Sequence, residues 1–145
     1  MKENLKLKNI VVIRIIDKNR VIREYRGEND VLEVGATCIL NFIRGASANG
    51  NWNTINLFTS DNVYIKSLTG GFSDIGSGSG YKYIVLNVVD NSNDEYTFRK
   101  LGLYYTMSDN IYVQNLINVQ TTDIVKGSTQ TLEISWEIRI SYTTV

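Results

Sequence analysis

The sequence predicts a mainly β fold: a β-sandwich or paired antiparallel sheets of about seven or eight strands, with a single packed α-helix. Three observations carry this expectation. First, the segment Thr131 to Thr143 alternates without a break. Leu132, Ile134, Trp136, Ile138, Ile140 and Tyr142 fall on one face; Glu133, Ser135, Glu137, Arg139, Ser141 and Thr143 fall on the other. Successive strand side chains point to opposite faces, so this segment covers a core with one side and meets water with the other. Second, short apolar runs are separated by clusters of Asn, Asp, Gly and Ser, and the chain contains no proline. Third, only the stretch 30–45 repeats its apolar residues at helical spacing.

The elements follow in order. Leu5 to Arg26 reads as an N-terminal hairpin within 1–28, turning at Asp17-Lys18-Asn19-Arg20. Lys6 and Lys8 alternate with leucines, but from Ile10 to Ile16 both faces are apolar except at Arg14, as in a strand covered on both sides. Asn29-Asp30 then offers an N-cap, with Glu33 completing a capping box. Val31, Val34, Cys38 and Phe42, with Ile39 and Ile43 nearby, give an amphipathic helix from Val31 to Arg44 that ends at Gly45.

The remainder, 54–145, reads as a β-sheet core. Its strands are Thr54–Thr59, Val63–Leu68, Tyr81–Asp90, Tyr96–Thr106, Ile111–Val119 and Thr131–Thr143. The turn signals Asp90-Asn91-Ser92-Asn93-Asp94 and Ser108-Asp109-Asn110 make Tyr81 through Val119 a meander of two hairpins. Gly70 to Gly80, with Gly76-Ser77-Gly78-Ser79-Gly80, reads as a flexible surface loop. No repeat or linker divides the chain, so one domain, 1–145, is expected.

Composition narrows the function classes. Fifteen basic residues balance fifteen acidic ones, whereas nucleic-acid binding draws on a basic excess to displace counterions. No apolar run approaches the roughly 18–20 residues of a membrane span, and the start lacks a signal-peptide stretch. The expectation is a protein made in the cytoplasm, with neither nucleic acid nor membrane as partner. There is no histidine, and Cys38, the single cysteine, reads as a small buried hydrophobe. Metal sites therefore lack their usual ligands, and no cofactor is expected.

Candidate chemical motifs fail on context. Gly76 to Gly80 is followed by the strand Tyr81-Lys82-Tyr83-Ile84-Val85 instead of the helix N-terminus that a phosphate loop needs. Asp90, Ser92 and Asp94 occupy the first, third and fifth places of a calcium loop, but Glu95 and Leu101 stand at its sixth and twelfth. Glu133 and Glu137 share a face about 13 Å apart, beyond the reach of a glycosidase pair. No catalytic residues are assigned, and the expectation is a protein that is not an enzyme. Among nine tyrosines, Tyr81, Tyr83, Tyr104 and Tyr105 are the candidate contacts for a glycan or receptor.

The order of segments resembles small structural modules of tailed bacteriophages, found in tail, fibre and other virion proteins. The resemblance is carried by Asn29 through Gly45, by Phe98-Arg99-Lys100-Leu101-Gly102-Leu103-Tyr104, and by Leu132-Glu133-Ile134-Ser135-Trp136-Glu137-Ile138. Lys100 departs from the acidic residue of that pattern, and Ile55-Asn56-Leu57-Phe58-Thr59-Ser60 departs from its glycine-rich strand end. The resemblance implies a non-enzymatic virion component, tail- or fibre-associated, with head decoration or head-fibre protein as the alternative position. Its implied partners are copies of itself and other virion proteins; the tyrosines keep a host-surface glycan as the alternative of another class. The residues add a surface for assembly: Ile10, Val12, Arg14 and Ile16 lie opposite the core-facing Leu5, Leu7, Val11, Ile13 and Ile15.

Overall fold

Alternating strands of the kind read at the C-terminus build two antiparallel sheets. The structure, a computed structural model, describes residues 6–28, 30–31, 36–37, 39–40, 43, 51–106 and 112–143, and the side chains of all but 6, 30–31, 51–52, 104–106 and 112–118 of these. In chain order the strands are β1 (Lys6–Asp17), β2 (Arg20–Glu28), β3 (Asp30–Val31), β4 (Asn51–Phe58), β5 (Tyr64–Thr69) and β6 (Gly71–Phe72). They continue as β7 (Gly76–Gly78), β8 (Tyr81–Asp90), β9 (Tyr96–Thr106), β10 (Tyr112–Lys126) and β11 (Thr131–Ser141). A six-stranded sheet runs β2-β1-β11-β8-β6, with β7 also on β8. A five-stranded sheet runs β3-β10-β9-β4-β5.

β1 lies inside its sheet, and its inward residues repeat apolar character at period two. Val11, Ile13 and Ile15 are fully buried, flanked by β2 on one side and β11 on the other. Lys18 and Asn19 close the β1–β2 hairpin with positive φ at both positions, the geometry that matches the right-handed strand twist. The inward faces of both sheets contribute to one core. Val11, Ile13, Ile15, Leu86, Val88, Leu132, Ile134 and Trp136 from the first sheet meet Ile55, Leu57, Leu68, Phe98, Leu101, Leu103 and Ile124 from the second.

Several expectations need correction. Asp30–Val31 is not a helix start: it pairs with Leu116 and Ile117 as β3, because the chain crosses there from the first sheet to the second. Ala36, Thr37, Ile39, Leu40 and Ile43 have helical backbone, but Leu40 and Ile43 are largely exposed. Val34, Cys38 and Phe42, like Leu5, lie outside the described residues. Gly70 to Gly80 is not simply a flexible loop, since β6 and β7 form there on β8. The glycines permit it: a Cβ on Gly76 or Gly78 would collide with the rings of Tyr83 and Tyr81, which lie over them.

The predicted meander is half right. β9 and β10 pair, but β8 and β9 belong to different sheets. The turn between them is a crossover, as is the Gly127–Gln130 turn between β10 and β11. β9 also changes phase. Phe98, Leu101 and Leu103 all face the core, and the β9–β10 register shifts where Gln120 to Asp123 bulge opposite Arg99.

Truncating Phe98 to Ala removes a fully buried ring at this join and should destabilise the fold by about 3–5 kcal/mol in urea unfolding. Val89→Ala, on an exposed outward position, should change stability by no more than about 0.5 kcal/mol. Equal effects from the two would contradict the assigned strand phase.

Candidate functional site

The densest polar grouping lies where the two crossovers meet. Alternation along β10 turns Lys126 inward after Ile124, and its side chain is fully buried. Its ammonium donates to the carbonyls of Ser92 and Asp94 at 2.8 Å and of Gly127 at 3.3 Å, tying the β8–β9 crossover to the start of the β10–β11 crossover. From β5, Lys66 reaches Asp90 Oδ2 at 3.0 Å and Asp94 Oδ2 at 2.8 Å. The Tyr96 hydroxyl donates to Asp90 Oδ2 at 2.6 Å, and both ammonium groups stand within 6 Å of the Tyr96 ring centroid.

Electrostatics favour fixed charges over proton transfer. Burial opposes ionisation of Asp90, but hydrogen bonds from Ser92, Tyr96 and Lys66 outweigh it and hold the carboxyl far below its usual range. The Lys66 pKa is raised, chiefly by its hydrogen bond to Asp94, and that same bond lowers the Asp94 pKa. Burial, then the bond to Asp90, pushes the Tyr96 phenol well above its usual value. At neutral pH each group is locked in one protonation state, a poor arrangement for general acid–base work. The positions that resemble a calcium loop are thus filled by the Lys66 ammonium. Among the described residues, no group of three or more Cys, Asp or Glu could hold a metal ion.

The sequence-nominated surface residues lie elsewhere. Ile10, Val12, Arg14 and Ile16 stand on the outward face of β1, next to the edge strand β2 of the six-stranded sheet. Arg14 is clamped between Glu24 Oε2 at 3.2 Å and Glu133 Oε1 at 3.3 Å. Val12, between Arg26 and Ser135 in register, is only 8% exposed, while Ile10 and Ile16 are half-buried. This face therefore already uses part of its apolar area within the fold.

Tyr81 and Tyr83 occupy the same outward face at the start of β8, their centroids 6.0 Å apart. The Arg139 guanidinium lies 4.0 Å from the Tyr81 centroid and is held by Glu137 Oε2 at 2.7 Å. Tyr104 and Tyr105 are in β9 of the other sheet, with side chains outside the described set. The structure thus joins Tyr81 and Tyr83 to the β1 candidates and does not join them to Tyr104 and Tyr105. Sequence reading missed Lys66, Tyr96, Lys126 and Arg139; the Arg139–Glu137 spacing on one strand face was the only local signal for any of them.

An apolar hollow of about 250 Å³ is lined by Ile75, Lys82, Tyr83, Ile84, Ile138 and Ile140, with no carboxylate or hydroxyl nucleophile beyond the tyrosine. It falls short of the roughly 300–1,000 Å³ of small-molecule sites. No helix among the described residues is long and apolar enough to cross a membrane. Comparison with family models, curated proteins and solved structures finds no match. Function therefore has to be argued from these side chains.

The crossover cluster makes a pH prediction. Asp90 and Asp94 have lowered folded pKa values, so their stabilisation is complete above the ordinary carboxylate pKa and lost as pH falls through the folded values. Stability should start to fall below about pH 4, and Asp90→Asn should be less stable at pH 7 with a shallower acid loss. An Asp90→Asn variant with the parent's full acid sensitivity would refute this assignment. Lys126→Met should cost about 1–3 kcal/mol for each carbonyl left unpaired, read from urea unfolding.

Proposed function

We propose that this chain is a non-enzymatic structural component of a tailed-bacteriophage virion that acts through protein–protein assembly, in the tail or fibre apparatus. The observation that carries the assembly reading is the outward face of the six-stranded sheet. Its strands present Ile10, Ile16, Val85 and Val89 among the paired charges Arg14–Glu24, Arg14–Glu133, Arg139–Glu137 and Lys8–Glu28. A face with apolar centres and prearranged charges suits recognition of another protein surface, where the charges set register and the apolar groups supply burial. The virion assignment rests on the sequence resemblance of the segments around Asn29, Phe98 and Leu132. Head decoration or head-fibre attachment is the alternative position within that class.

The same reading takes the two sheets as a face-to-face sandwich and the helical residues Ala36, Thr37, Ile39, Leu40 and Ile43 as part of one helix on it. Near-complete burial of Thr54 and Asn56, opposite the inward Ile55 and Leu57 on β4, supports a covering element on that side. Partners are copies of the chain and other virion proteins, without nucleic acid or membrane, and the site of synthesis is the host cytoplasm. A second reading, contact with a host-surface glycan or receptor, is favoured by the Tyr81, Tyr83, Arg139 and Glu137 grouping, which sets aromatic rings beside a guanidinium and a carboxylate.

Density-gradient purification of intact particles should recover the protein with the virions; recovery only among free proteins would end the virion reading. In sedimentation, Ile10→Asp should fold and dissociate an oligomeric parent. Val12→Asp buries a charge and should destabilise the domain itself. Unchanged association in a folded Ile10→Asp variant would exclude this face. Glycan-array binding lost in Tyr83→Ala would favour the second reading.

A further inference from the structure

We propose that β2 pairs edge to edge with β2 of a second copy of this chain, antiparallel, about a two-fold axis at Tyr25. This rests on the self-association in the assembly reading above and places it at the sheet edge, a surface distinct from the outward face. The first observation is the length of the free edge. Among the described residues, β2 pairs only with β1 and ends its sheet. The other terminal strands are short: β6 has two residues, β7 three, β3 two and β5 six, whereas β2 has nine. Shortening an edge is one way a protein prevents strand addition, and β2 lacks that protection.

The hydrogen-bonding groups on that edge can be placed by counting. Asp17 and Arg20 close the Lys18-Asn19 turn, so they form a hydrogen-bonded pair. The register shifts between Ile16 and Ile15, where Ile22 is the extra residue of β2. Alternation along the unbulged β1 carries past it to give Ile15, Ile13 and Val11 hydrogen bonds to their partners Arg23, Tyr25 and Gly27. The N–H and C=O groups of Glu24, Arg26 and Glu28 therefore point away from β1, toward an added strand.

Charge and the length of the paired segment select the register, since centring on Gly27 would also oppose Arg26 and Glu28 but would pair only the last residues of β2. An antiparallel copy centred on Glu24 would set Glu24 against Glu24, and one centred on Arg26 would set Arg26 against Arg26. Centring on Tyr25 sets Glu24 opposite the partner's Arg26, and Arg26 opposite the partner's Glu24, both in hydrogen-bonding positions. These side chains stand on the outward face, with Arg26 69% and Glu24 44% exposed. Arg14 holds the Glu24 carboxylate in place from below at 3.2 Å. On the inward face the two Tyr25 rings would meet as a cross-strand aromatic pair, while Arg23 would face the partner's Gly27, which has no side chain to obstruct it. The contact is isologous and closes as a dimer, merging two six-stranded sheets into one.

The test uses charge reversal in the full chain, read by sedimentation velocity, with circular dichroism confirming the fold. Glu24→Arg places like charges at both pairs, and so does Arg26→Glu; each alone should weaken dimerisation on the order of tenfold or more. Mixing the two folded variants restores opposite charges at both positions, so the mixture should dimerise as the parent does. In a Cys38→Ser background, oxidised Tyr25→Cys should form a disulfide-linked dimer, because facing residues at such a pair sit about 4.5 Å apart. A folded mixture that stays monomeric overturns the register. An oligomeric parent unaffected by either reversal and not crosslinked at position 25 overturns edge pairing while leaving assembly through the sheet face intact. A parent that is monomeric at every concentration overturns self-assembly itself.

Discussion

The Lys126 ammonium is the contact on which the arrangement of the two sheets depends. Ladder hydrogen bonds stop where a chain leaves one sheet for the other, so the carbonyls of a crossover lose their partners. Lys126 satisfies Ser92, Asp94 and Gly127 at once, and Lys66 joins β5 to the end of β8 through Asp90. Buried charges of this kind are tolerated only when fully hydrogen-bonded. Here the ammonium groups donate to carbonyls, carboxylates and the Ser92 hydroxyl, with the Tyr96 ring centroid within 6 Å of both. These bonds link the two sheets, whose Phe98, Ile124, Leu132 and Ile134 share a single core.

The most perturbed titratable groups of the crossover are each held in one charge state. Strongly shifted pKa values cluster at active sites because function needs a poised proton. In this chain the shifts stabilise the charged forms of Asp90, Asp94 and Lys66 and the neutral form of Tyr96. That pattern belongs to an ion-pair network with a structural task. The outward face of the six-stranded sheet is organised differently, with partly exposed charges in lateral pairs and aromatic rings over glycines. Gly76 and Gly78 leave room for the rings of Tyr83 and Tyr81 against β7, where any Cβ would collide with them.

Strand identity was legible because it is a local property. The segments Tyr81–Asp90 and Tyr96–Thr106 have the bounds expected from their apolar runs, and Leu132, Ile134 and Trp136 are buried as their alternation requires. The helix was the least legible element. Its apolar spacing began at Val31, yet the backbone there is drawn into β3 by pairing with β10, a non-local bond that no window of spacing contains. The glycine-rich stretch was misread for a related reason: its order comes from Tyr81 and Tyr83 on the neighbouring strand.

By itself, the sequence determined that the protein is built mainly of antiparallel strands, that Val11, Ile13 and Ile15 of β1 and Leu132, Ile134 and Trp136 of β11 face inward, and that histidine- and cysteine-based chemistry has little to draw on. Ile140 and Tyr142, read onto the same core face, are exposed. Only the tertiary structure decided which strands share a sheet, that the Asp90–Asp94 turn crosses between sheets, and that Lys66, Tyr96 and Lys126 converge there. The reason is physical. Periodicity records which side of a strand is apolar, whereas sheet membership depends on hydrogen bonds between segments tens of residues apart. A turn of the same composition can serve a hairpin or a crossover, and the buried lysine that distinguishes them lies 32 and 34 residues away from the carbonyls it holds.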